Sequence, residues 1–192
     1  MSGEAPGDII SPNCAVLDVH VGELRQLFNA MDPAPFRERD LDPRAEEYIV
    51  EWSREVRLDQ PLALLVHLDR KAGTRDEERV LREAIHAFFA DHAISARRRL
   101  RQLLRVGRKS LLISVVFLGS AIALGDLVGG LFERDYYGGL AQEGLLIGGW
   151  VAMWRPLEIF LYDWWPIRAE ARLYDRLSNM FVHVVDANTG RE

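Results

Sequence analysis

Apolar positions along this chain follow three different rhythms, and each predicts a different kind of element. From residue 15 to 21 they alternate. Leu17, Val19 and Val21 lie on one side and Asp18 and His20 on the other, the pattern of a half-exposed strand that ends at Gly22. Residues 23–31 switch to helical spacing, with Leu24, Leu27, Phe28 and Met31 on one face, and the run ends at Asp32-Pro33-Ala34-Pro35. A second helix is expected after Asp42, which is placed to cap it, with Pro43 at its first position. Its apolar face reads Ala45, Tyr48, Ile49, Trp52 and Val56. Pro61 then opens a near-continuous apolar run over residues 62–68, the signature of a strand buried on both faces.

Thr74 and Glu77 form a capping box for a helix carrying Val80, Leu81, Ala84, Ile85, Phe88 and Phe89. That helix is expected to continue with little interruption into the third rhythm, which is hardly periodic at all. Residues 111–132 and 139–161 are apolar almost throughout, separated only by the short segment 133–138. The first spans about 33 Å at the helical rise, against a hydrocarbon core of about 30 Å. A transmembrane hairpin is the reading. A helix over 167–178 and a third strand over 181–185 complete the chain. The alternative for 181–185 is a helical stripe through Leu173, Leu177, Met180, Phe181 and Val184.

The fold class is therefore α/β: a small cytoplasmic domain of two or three strands with packed helices, carrying a two-helix transmembrane hairpin with both termini inside. Its strands should run parallel, because helices connect them. The organisation predicted is a loose N-terminus (1–13), an α/β domain (14–96) and a basic juxtamembrane helix (97–110). The first span (111–132), an external turn (133–138) and the second span (139–162) follow. A C-terminal helix and possible strand (163–186) and a loose tail (187–192) end the chain.

Charge sets the sidedness. Arg97, Arg98, Arg99, Arg101, Arg105, Arg108 and Lys109 precede the first span, with no acid between Asp91 and Asp126, and Arg168, Arg172 and Arg176 follow the second. The turn between the spans carries only Arg134, between Glu133 and Asp135. The positive-inside rule puts both ends in the cytoplasm of a bacterial-type inner membrane. Tyr136 and Tyr137 would mark the outer interface and Tyr162, Trp164 and Trp165 the inner one, with Pro166 stopping or kinking the helix as it leaves. The basic collar is also a docking site for anionic lipid head groups. The whole chain has 24 basic and 29 acidic residues, so outside the collar it is strongly acidic, which argues against a nucleic-acid binder. Residues 1–13 lack the basic, then apolar, pattern of a secretory signal, so membrane targeting is expected to come from the hairpin.

Two features stand out within the spans. Small residues fall four apart at Ala121, Gly125 and Gly129, and again at Gly144, Gly148 and Ala152. Aligning the cytoplasmic ends at Leu111 and Tyr162 brings Gly125 level with Gly148, a close-packing face within the hairpin or between copies. The ionisable residues are Asp126, without a level partner, and Arg155 with Glu158, three apart and able to pair. Glu143 and Asp163 are expected at the interfaces.

Enzymatic chemistry is hard to find. No phosphate-binding glycine loop, His-Glu-x-x-His or Gly-x-Ser-x-Gly occurs, and Ser53, Ser110 and Ser178 sit in helical contexts. Cys14 is the sole cysteine, which excludes an intramolecular disulfide and a cysteine zinc site. His20, His67 and Asp18 can approach one another on the strands, without a fixed metal-ligand spacing; His86 is read as solvated and His92 as a boundary residue. The segment with Asp32, Pro35, Phe36, Arg39, Asp40 and Asp42 reads as a partner-docking loop, an oxygen-ligand cation site or a stiff connection. No cofactor or small-molecule substrate is implied. The expectation is a non-enzymatic anchor, assembly or regulatory subunit that self-associates or joins a membrane complex. The alternative is a small oligomeric proton- or cation-conducting subunit using Asp126.

Overall fold

Three parallel strands carry the polar part of the protein. The computed structural model describes residues 13–29, 40–68, 75–131 and 136–186. Strands β1 (Ala15–Val21), β2 (Leu62–Leu68) and β3 (Phe181–Asp186) form one sheet in the order β1-β2-β3, with β2 in the centre. Both pairings are parallel, in register Leu17↔Leu64 and Leu64↔Val182. The β-branched run over 181–185 is thus a strand rather than a helical stripe. A free strand edge on β2 and five buried apolar residues along it favour the ladder.

Helix α1 (Pro43–Glu55) begins as the sequence predicts: the Asp42 carboxylate accepts from Arg44 N at 2.9 Å, with Pro43 at the first position. Of the face expected for it, Ile49 is buried and Ala45, Trp52 and Val56 pack partly buried against the core, whereas Tyr48 is 55% exposed; Val50 and Ser53 are buried as well. Ser53 tolerates full burial because its hydroxyl donates to Val50 O at 2.8 Å. The helix expected over 23–31 is only a 3-10 turn, Leu24–Leu27. Phe28 leaves it in extended backbone and bridges antiparallel to Leu41, with Asp42 N donating to Leu27 O at 2.8 Å. Burying Phe28 and Leu41 together outweighs one more helical turn.

Helix α2 (Arg75–Leu131) runs without a break through the basic collar into the first apolar stretch, as expected. Helix α3 (Tyr136–Glu158) passes through a π turn, Ile159–Asp163, directly into helix α4 (Trp164–Leu177). Pro166 therefore does not stop the helix; it lies three residues past the π turn, which is where the helical run becomes irregular.

The chain divides into two compact units, residues 1–95 with 170–192 and residues 96–169. In the first, Leu17, Leu62, Leu64, Val66, Leu68, Val182 and Val184 form the core face of the sheet. Ile49 and Val50 of α1, Leu81, Ile85, Phe88 and Phe89 of α2, and Tyr174 and Leu177 of α4 belong to the same apolar cluster. The guanidinium of Arg176 donates through Nη2 to Arg57 O and Gln60 O, tying α4 to the loop before β2. The second unit is an antiparallel pair of helical segments. Among the described residues, two helices, 78–127 and 143–177, are long and apolar enough to cross a membrane.

Candidate functional site

The second unit is organised by a seam of small residues. On α2 one buried or half-buried stripe runs Gly107, Leu111, Ser114, Leu118, Ala121 and Gly125, at alternating spacings of four and three, with Ser110 half-buried beside it. On the facing segment they include Gly149, Ala152, Pro156 and Ile159. This is the alternation that keeps one stripe of a helix against a partner. A Cβ on Gly107 would lie 2.8 Å from Ile159 Cγ2, and one on Gly149 would collide with Leu118 Cδ1. By contrast, a Cβ on Gly144 or Gly148 would meet nothing within 4 Å. Within the pair, Ala152 lines the contact and Gly149 continues it, while Gly144 and Gly148 of the expected small-residue face are open in the single chain. A strict four-residue row turns about 40° per step and drifts off a neighbour, whereas a three-four alternation does not. Gly125 does not lie level with Gly148 either. Ser114 meets Ala152 and Leu118 meets Gly149, a register displaced by nearly two helical turns from the hydropathy-based alignment. Ala121 and Gly125 are buried as expected, and the surroundings of Gly129 lie outside the described residues.

At the centre of this seam is a backbone repair. Pro156 lies inside α3 and cannot donate, so the carbonyl four residues earlier, Ala152 O, lacks its helical partner. Ser114 Oγ, from α2, donates to that oxygen at 2.7 Å. Ser114 is 5% exposed, one of two polar residues buried among the described positions. One turn later, in the π turn, Trp164 Nε1 donates to Phe160 O at 2.8 Å. The carbonyl that Pro156 frees is thus satisfied by a side chain from the facing helix.

The charged residues of the two apolar stretches fall in three places, one of them Glu143, exposed near the start of α3. Arg155 Nη1 lies 2.8 Å from Glu158 Oε2, as the spacing suggested, and also 3.5 Å from Asp163 Oδ2. Asp163 was legible only as an interfacial acid; the π turn brings it round to the pair. Asp126 is exposed on the flank of α2, away from the seam. The collar residues Arg97, Arg98, Arg99, Arg101, Arg105, Arg108 and Lys109 are all exposed on α2.

In the first unit the sheet face away from the core carries Asp18, His20, Leu65, His67 and His183, none fully buried. The register sets His20 against His67, and their rings stack at 4.5 Å with 10° between planes. His67 Nε2 lies 2.8 Å from Asp18 Oδ1. The three residues do come together, but as a stack and a carboxylate contact rather than as donors converging on one point. Among the described residues no group of three or more such side chains could hold a metal ion. His183 Nδ1 meets Glu78 Oε1 at 2.8 Å and His92 Nε2 approaches Glu46 Oε1 at 3.7 Å. His86, read as solvated, is half-buried with Nε2 2.8 Å from Met180 O. Of the proposed docking loop, Asp32, Pro35, Phe36 and Arg39 lie outside the described residues; Asp40 O accepts from Asn29 N, and Asp42 is the cap of α1. Compared with family models, with curated proteins and with solved structures, the chain matches none of them.

Proposed function

We propose that this protein is an integral membrane subunit without enzymatic activity, an anchor, assembly factor or regulator that works through protein partners. The observation that carries the reading is the composition of the sheet. Strand β2 comes before the two apolar helices and β3 after them, yet they pair along their length. A sheet cannot be assembled across a bilayer, which supports a reading with both flanks of the helical pair on one side. The basic collar and the arginines after the second apolar stretch support the cytoplasmic side of a bacterial-type inner membrane. Large apolar side chains on the outside of the pair, among them Val116, Trp150, Val151 and Trp154, are exposed and suit lipid contact. The same reading assigns the open Gly144–Gly148 face of α3 to self-association, since it is not used within the pair.

Impermeant maleimide labelling of sealed cells tests the topology. In a Cys14→Ser background, Arg134→Cys should be labelled from outside and Asn188→Cys should not. External labelling of Asn188→Cys overturns it. Recovery of one defined partner complex from mild detergent supports the subunit role.

A conducting subunit is the second reading, favoured by the outward position of Asp126, where oligomerised hairpins would set it against a polar path. Asp126→Asn keeps shape and removes titration. On the anchor reading it leaves insertion and partner recovery intact. Proton or cation flux in wild-type vesicles that the variant abolishes would establish the second reading instead.

A further inference from the structure

We infer that one face of α2, formed by Arg98, Arg101, Gln102, Arg105 and Lys109, is a groove for a membrane lipid whose head group carries two phosphates. The inference rests on the membrane reading above and sharpens it from a general affinity of the collar to one binding face.

These five residues and Val106 line an open groove of about 540 Å³, large enough for a head group rather than a single ion. At about 100° per residue, Arg98, Arg101, Gln102, Arg105 and Lys109 all point within about 60° of the direction opposite Gly107. Gly107 is the point at which α2 closes on Ile159 and Phe160, so the groove lies on the open side of the helical pair. Arg97, Arg99 and Arg108 fall on the flanks instead. Among the described residues no ion pair joins Arg98, Arg101, Arg105 or Lys109 to a carboxylate, so the groove's positive charge is not internally neutralised. Arg101 Nε donates to Arg97 O, which holds that guanidinium along the helix.

The four cations extend over about 16 Å at the helical rise. A single phosphate can bridge one i, i+3 or i, i+4 pair and no more. Arg105 with Lys109 suits one phosphate and Arg98 with Arg101 a second, while the Gln102 amide between them can bond a linking hydroxyl or ester oxygen. What favours a lipid over a soluble polyanion is the continuation of the same face. Beyond Lys109 it becomes Leu112, Ile113 and Val116, all exposed and apolar, a track for acyl chains directly below the cations. An acidic peptide or nucleic acid would leave that track unused.

The test uses the full-length protein in detergent and counts retained lipid by native mass spectrometry. The probes are diphosphatidylglycerol and, at twice the concentration to match charge, phosphatidylglycerol. The wild type should retain one diphosphatidylglycerol in preference to phosphatidylglycerol. R98Q/R105Q/K109Q should lower that retention at least about tenfold, and R97Q/R99Q/R108Q, which removes the same charge from the flanks, less than about threefold. The single variant Arg105→Gln should show a partial loss if the triple variant is poorly folded. Equal losses from the two triple variants, or equal retention of the two lipids, overturn the groove. So does displacement of bound lipid by an acidic peptide or oligonucleotide. Carbonate extraction of the same membranes separates the two levels. Protein that stays embedded but shows no lipid preference defeats only the groove, whereas extractable protein defeats the membrane reading and the groove with it.

Discussion

Ser114 and Pro156 form the residue-scale feature with the clearest energetic consequence. Removing the Ser114 hydroxyl orphans Ala152 O inside the seam, so Ser114→Ala should lower the unfolding free energy in micelles by about 1–3 kcal/mol. Pro156→Ala restores an N–H for that carbonyl, and in its background the cost of Ser114→Ala should fall to a few tenths of a kcal/mol, roughly the level of a neutral change. An unchanged cost would show that the hydroxyl does something else. In the sheet unit Phe89 is fully buried, and Phe89→Ala should cost about 3–5 kcal/mol. The exposed His67–Asp18 contact is worth at most about 1 kcal/mol, so Asp18→Ala should barely move the transition. Cys14 donates to Pro61 O, and desolvation pushes its thiol above the ordinary cysteine range. The neutral thiol is therefore the form the fold favours. Its contribution is complete below the unfolded pKa and fades as pH rises through the higher folded one. Alkylation near pH 9 should accordingly be slower in the folded protein than in urea. Of these residues the Asp42 cap was readable in sequence, because a cap and its helix are neighbours. Ser114 was not, because its acceptor is 38 residues away and its need arises only from Pro156.

At the scale of elements, alternation located β1, a continuous apolar run β2, a β-branched run β3 and a cap α1, while faces and registers were harder to read. The four-residue rows of small residues were visible, yet only the packed pair shows which of them face inward. Gly149→Leu should disrupt the helical pair, since even a Cβ there collides with Leu118, and a loss of detergent stability would register it. Gly148→Leu should leave the pair intact, because the site is open, and should shift only the oligomeric state seen by light scattering. Equal effects of the two substitutions on pair stability would refute the seam. The face of α1 was readable except at Tyr48: Ala45, Ile49, Trp52 and Val56 reach the core, while Tyr48 stays exposed and Val50 and the self-satisfied Ser53 are buried.

At the scale of the molecule, the sheet unit is assembled from residues on both sides of the apolar helices. Truncation after residue 169 removes the last two turns of α4 and all of β3, exposing one edge of β2 and depriving the core of Tyr174, Leu177, Val182 and Val184. The truncated protein should lose protease resistance over residues 15–95, although both apolar helices remain. Resistance equal to the full chain's would mean that the two-strand remnant folds alone.

Local rules determined what could be read from the sequence by itself: two apolar stretches of spanning length, a basic collar before them, three β-rich runs, and a capped helix after Asp42. Each depends on residues within a turn or two of one another, where spacing and chain geometry are enough. The tertiary structure alone decided that 181–185 joins β2 as a strand, that Phe28 leaves a helix to meet Leu41, and that the helical pair closes through Gly149. It also decided that Ser114 supplies the bond Pro156 removes. In each case several local solutions are nearly equal in energy, and the choice falls to contacts between residues far apart in the chain, where burial of apolar surface and satisfaction of backbone polar groups outweigh local preference.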